Sequence, residues 1–251
     1  MDWNTVLKLP QPALLPPKKI DKTVLVAQGA LTKKQQKLLD SVERVTLFAS
    51  VQKSTTHVNN YRDETYQLES FPILKCELRG TSNSTDLIEI LHGLFPNPTM
   101  LLIEVGEFIA VSVALTRKSI AEHGVMVVDE QATSRYFELG EQIYQDFIQA
   151  LGFDCAPQEN LLEFVKHYIR LIRLSRYVKT LGFYPVVPKG NEQVFFEMIR
   201  QYESCSQEIA RIQGERQGAP LRIAAKLRVS LDDAEKQQLE LSNRIKEYCN
   251  A

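Results

Sequence analysis

Two almost unbroken apolar runs, Thr99 to Val105 and Phe108 to Leu115, stand on either side of Gly106-Glu107. A two-residue link between such runs predicts a tight hairpin. Strands with one wet face would carry a polar residue at every second position. These runs do not, so both strands must be covered on both faces. A chain with such a hairpin therefore needs layers of structure above and below it. A hydrophobic content of 44% and a net charge of −1 supply the material for those layers and exclude a disordered polyelectrolyte.

The residues around the hairpin predict the remaining elements. Pro10, Pro12, Pro16 and Pro17 make residues 1–20 an extended arm, anchored by Leu7, Leu9, Leu14 and Leu15. Thr32 and Gln35 fit a capping box and start a helix. Val45 to Val51 reads as a strand and Gln52 to Asn60 as a loop. Tyr66 to Arg79 reads as a strand in which Pro72 marks an edge or a bulge. Asp86 to Leu94 reads as a helix capped by Asn83 or Ser84, and Val125 to Val128 as a short buried strand.

Beyond residue 130 the hydrophobic period changes from two to 3.6. Tyr136, Leu139, Ile143, Phe147 and Leu151 predict one amphipathic helix, stopped at Gly152. Leu161 to Leu181 predicts a second, ended by Gly182. Asn191 opens a third that reaches about Gly214, and Ser230 looks like the start of a fourth. The expected fold class is α+β: a mixed sheet with flanking helices followed by a helical C-terminal region. The expected divisions are an arm over 1–20, an α/β domain over 21–130 and a helical region over 131–251.

No run of ~18 apolar residues is present, and Met1-Asp2-Trp3-Asn4 lacks the features of a secretion signal. A cytoplasmic protein is expected. Cys76, Cys155, Cys205 and Cys249 form no paired spacing, and His57, His92, His123 and His167 are scattered. Neither a disulfide framework nor a metal site is expected, and no cofactor is implied.

Charge is unevenly spread. Residues 41–160 carry a net −9, whereas residues 161–230 carry +6. Lys166, Arg170 and Arg173 are spaced to share one helix face, with Arg176 beside them. Arg211, Arg216, Arg222, Lys226 and Arg228 follow further on. Arginine forks suit phosphates and carboxylates. Three readings stay open: a nucleic-acid backbone site, a surface for an acidic protein, and a solvated face matched within the molecule.

Signals for catalysis are weak. Asp63 and Glu77-Leu78-Arg79 resemble the carboxylates of a PD-(D/E)xK nuclease, but Arg79 stands where that chemistry needs lysine. Gly93, Gly106 and Gly124 stand alone, so no glycine-rich phosphate loop is formed. Phe195, Phe196 and Tyr202 have the spacing of core packing, or of base stacking if exposed. No catalytic residue is assigned.

The order of motifs carries a resemblance. Pro17-Lys18-Lys19, then Leu31 to Leu39, then the Val45 strand, the Ile73-to-Leu78 strand, the Leu87-to-Phe95 helix with Pro96 and Pro98, and the hairpin ending Ala114 to Lys118 resemble a bacterial family known as domain of unknown function 4391. The similar region runs from about residue 16 to 118. The resemblance implies a cytoplasmic protein encoded beside helicases and methyltransferases of DNA-restriction and phage-defence loci. It implies no activity. The expected function is a non-catalytic accessory protein that binds a helicase or other defence component. Direct nucleic-acid binding through the basic helices and a divergent metal nuclease are the alternatives, and a homodimer is compatible with the long apolar helices.

Overall fold

A computed structural model describes residues 2–28, 31–122 and 125–250; His123 and Gly124 lie outside them. The chain divides into two compact units, the first ending at Tyr184 and the second beginning at Pro185.

In the first unit the chain opens with α1 (Trp3–Leu7), capped by the Asp2 carboxylate, and β1 (Leu14–Ile20). The prolines do not keep this segment out of the sheet. Residues Lys18 to Ile20 and Leu14 pair with β2 (Val42–Val51), and the register shifts between Leu14 and Lys18. Pro16 and Pro17 fall in that irregularity on an edge strand, where their missing N–H groups cost no ladder bond. Between the strands lie α2 (Lys22–Gln28) and α3 (Lys33–Leu38), the latter held by the expected Thr32–Gln35 capping box. The expected loop after β2 includes a turn of helix, α4 (Lys53–Thr56).

The ribbon of β3 (Tyr61–Arg62) and β4 (Gln67–Leu68) precedes β5 (Phe71–Leu78). Pro72 lies inside β5, a central strand and not an edge, next to the irregularity at which the pairing of β5 with β2 shifts register between Leu74 and Ile73. Its position is tolerated because pairing with the next strand starts only at Ile73. After α5 (Ser84–Gly93) come the hairpin strands β6 (Thr99–Val105) and β7 (Phe108–Lys118), with Gly106 in the left-handed region at the turn. Both strands are almost wholly buried, as their sequence demands. β8 (Met126–Thr133) is longer and less buried than expected, because it forms the other edge of the sheet.

The sheet order is β1-β2-β5-β6-β7-β8, with β9 (Phe137–Glu138) also pairing β7. Only β5 and β6 run parallel, joined through α5. The helix expected over Tyr136–Leu151 is instead β9, a tight turn and the short α6 (Gln145–Ala150). Phe137 is fully buried and pairs with Ile109, so a strand contact outcompetes the helical period there. α7 (Leu161–Ser175) and α8 (Val178–Leu181) follow, the latter ended by Gly182 at φ 78°. The sheet therefore continues past residue 130 and keeps α6 to α8 with it.

One sheet face is covered by α5: Leu87, Ile88 and Leu91 meet Leu74, Cys76, Leu78, Leu101 and Ile103. On the other face α7 packs on β7 and β8. There Phe164 and Tyr168 of α7 lie against Phe71, with ring centroids 5.7 and 6.3 Å apart. The hairpin thus gains its two covers.

The second unit is a helical hairpin of α9 (Glu192–Arg216) and α10 (Leu221–Asn250). α9 continues through Gly214. The break falls at Gly218, at φ 86°, and Pro220. No helix begins at Ser230, which lies in the middle of α10; its Asp232 and Asp233 neighbours are exposed surface residues.

Candidate anion-binding cleft

Lys166, Arg170 and Arg173 lie on one side of α7, but each is already engaged, and the other basic residues singled out from the sequence lie apart from them. Within α7, Lys166 sits with Nζ 5.7 Å from the centre of the Tyr66 ring, a cation–π contact. Arg170 is half-buried and partnered. Arg173 donates to Glu130 at 2.9 Å, and Arg176 is exposed. Arg211 is held between Glu208 and Glu215 of its own helix, both at 2.6 Å. Arg216, Arg222, Lys226 and Arg228 are exposed in the second unit. The charge division seen along the sequence also disappears. The first unit contains 20 basic and 21 acidic residues and the second ten of each. The basic C-terminal end of α7 belongs to the same unit as the acidic sheet.

What survives is a local convergence. At the β8 edge an open cleft of about 590 Å³ is lined by Thr85 and Glu89 of α5, Thr133 of β8, and Arg135, Arg173 and Arg176. Local structure aims these groups. Asn160 caps α7 by accepting from the amides of Leu162 and Glu163, which fixes where its last turn falls. Arg173 and Arg176 then stand at the negative end of the helix, where cations are favoured. Ser134 accepts from the Val111 amide at 3.0 Å and donates to the Arg135 carbonyl, pinning the chain where Arg135 leaves the sheet. Arg135 and Arg176 carry no ion pair among the described residues, whereas Arg173 is partly neutralised by Glu130. Sequence reasoning missed Arg135, because it lies 38 residues before Arg173 and joins it only through the sheet edge.

The residues with potential for chemistry are engaged elsewhere. Asp63 accepts from the Thr65 amide, the Tyr66 amide and the Tyr61 hydroxyl, and so closes the β3–β4 turn. Lys118 at the end of β7 donates to the Asp63 carbonyl. Glu77 instead stands level with Glu104 on the parallel strand, and Lys75 spans both at 3.7 and 3.0 Å. Glu104 pairs in register with Ile109, nine residues along β7 from Lys118. At a rise of about 3.3 Å per residue the two acidic groups are roughly 30 Å apart, too far to share a metal ion. The nuclease pair inferred from sequence is therefore not assembled.

Other groups are tuned by burial. His92 is fully buried, its ring nitrogens 2.7 Å from the Thr99 hydroxyl and 2.8 Å from the Ser112 hydroxyl. Desolvation pushes its pKa down to about 3. Burial pushes the Cys76 thiol up to about 12, which removes it as a nucleophile at neutral pH. Burial and then the hydrogen bond to Asp129 push the Tyr66 hydroxyl up to about 12. Phe195 is fully buried, as packing requires, and Phe196 is half-buried with its ring centre 5.5 Å from it. Among the described residues no helix is long and apolar enough to cross a membrane.

A family model described as a domain of unknown function, DUF4391, matches residues 7–237. The match extends well beyond the region of resemblance at 16–118 and takes in the helical part up to the middle of α10. No curated protein and no solved structure matches the chain.

Proposed function

The chain belongs to the DUF4391 family, and from that premise we propose that it is a non-catalytic accessory protein of a bacterial DNA-restriction or phage-defence system, binding an acidic protein partner through the arginine cleft. The observation that carries the reading is the meeting of Arg135, Arg173 and Arg176 at one cleft, with two of the three unpaired. Three guanidinium forks near one opening suit carboxylates held in fixed geometry. The unit's overall charge is nearly balanced, so attraction comes from this cluster and not from a general field. The engaged state of Asp63, Glu77, His92 and Cys76 favours binding over chemistry. The defence setting rests on the family resemblance.

A second reading, direct binding of nucleic acid, is favoured by the hydroxyls of Thr85 and Thr133 beside the arginines, a set that also fits phosphate. One experiment separates the two. The chain and its R135E/R176E variant are titrated with a labelled acidic peptide and with a labelled DNA duplex. The accessory reading predicts peptide binding that falls at least tenfold in the variant, and only weak duplex binding. The nucleic-acid reading predicts duplex affinity that falls with salt with a log–log slope of about −3 for three phosphates. Equal affinities of wild type and variant for both probes would remove the cleft from either account.

A further inference from the structure

We propose that the Thr133 hydroxyl is a ligand for a carboxylate in the arginine cleft, and that the buried His92, acting through Ser112, turns that hydroxyl into a hydrogen-bond donor; this rests on the reading of the cleft given above. Thr85, Glu89 and His92 are spaced four and three apart on α5, so they lie along one side of the helix. The first two line the cleft, while His92 is fully buried. Ser112 of β7 pairs in register with Thr133 of β8, and their hydroxyls are 2.8 Å apart. Thr133 is half-buried and lines the cleft. A continuous chain of polar groups therefore runs from the core to the opening: Thr99, His92, Ser112 and Thr133.

The protons in this chain have a direction. The Thr99 hydroxyl is fully buried, and His92 Nδ1, at 2.7 Å, is its one side-chain partner among the described residues. A buried hydroxyl proton needs an acceptor, so Thr99 donates to Nδ1. The imidazole proton then sits on Nε2 and is donated to Ser112 Oγ at 2.8 Å. Ser112 keeps its own proton to give, and two acceptors are in reach: the Ala132 carbonyl at 3.2 Å and Thr133 Oγ1 at 2.8 Å. When Ser112 donates to Thr133, the Thr133 proton is left for an acceptor in the cleft. The opposite tautomer would force Ser112 to donate to Nε2 and Thr133 to donate to Ser112. Thr133 would then offer the cleft only lone pairs, which repel a carboxylate. His92 is thus a positioning residue for Thr133. Arg135, Arg173 and Arg176 supply the charge that draws the anion, against Glu89 at the cleft and Glu130 on Arg173. A donor string aligned by one ligand is strengthened along its length.

The full chain, labelled with 15N-histidine and titrated with a labelled oligo-glutamate peptide, tests this. NMR reads the tautomer of His92, assigned by the loss of its signals in H92Q. The free protein is expected to hold the Nε2–H tautomer, and saturating peptide should shift that Nε2–H signal in wild type but not in T133V. T133V should bind the peptide about tenfold more weakly, and T133S should return to within about twofold of wild type. Valine matches the shape of threonine, and Ser112 retains the Ala132 carbonyl, so thermal unfolding should show T133V folded. An Nδ1–H tautomer overturns the proposal. Peptide binding that T133V keeps but R135E/R176E loses overturns it and leaves the cleft reading standing. A wild type that binds no peptide removes the cleft reading and this proposal with it.

Discussion

Burial decides what His92 can do. The imidazole is enclosed between α5 and the sheet, and its two nitrogens are satisfied by Thr99 and Ser112, the latter linked on to Thr133 at 2.8 Å. A neutral ring fits this chain of hydroxyls, since one nitrogen can donate and the other accept. A charged ring would be desolvated without a counter-ion, which is why its pKa falls to about 3. In the unfolded chain the same group titrates near 6.5. Above that pH both states are neutral and His92 places no pH dependence on folding. As pH falls from about 6.5 towards 3, the unfolded state takes up a proton that the native state refuses. Stability should drop by up to about 1.4 kcal/mol per pH unit from this residue. Urea unfolding followed by the fluorescence of Trp3, the single and fully buried tryptophan, measures it. The H92Q variant should be less stable at neutral pH and should lose that part of the slope. A slope identical in wild type and H92Q would show that His92 protonates in the native state.

The elements divide by what their residues compete against. α7 is stabilised at its start by Asn160, so N160A should lower stability by about 1 kcal/mol, read by thermal or urea unfolding. α10 runs unbroken through Ser230, so S230P should cost about 3 kcal/mol and reduce helical circular dichroism. A helix that began at Ser230 would tolerate proline there, and an unchanged spectrum would favour that alternative. The hairpin of β6 and β7 was legible because Gly106 and the buried runs leave one solution. The capping box at Thr32 was legible because it is wholly local. The segment 136–151 was not. Its helical period is real, yet Phe137 reaches Ile109, and a long-range pairing leaves no trace in local spacing. The β1 strand was hidden for the related reason that a register shift can absorb two prolines. The cleft was half legible: Arg173 and Arg176 lie near each other in sequence, while Arg135 arrives through the sheet edge.

Across the whole molecule, the charge division along the sequence resolves into two nearly neutral units, each described by its own core. Much of the basic character of α7 is met within the first unit, by Glu130 for Arg173 and by the Tyr66 ring for Lys166. The residue of that matching is the cleft with Arg135 and Arg176, and the proposed recognition rests on it and not on net charge. In the second unit, charges alternate in blocks along α10, basic over Arg222 to Arg228 and acidic over Asp232 to Glu240. The binding claim is tested most directly by capture from the native host, using tagged wild type and R135E/R176E, each with and without nuclease. The account predicts a stoichiometric protein partner that survives nuclease treatment on wild type and is lost from the variant. The same partner retained at the same stoichiometry by R135E/R176E would contradict it.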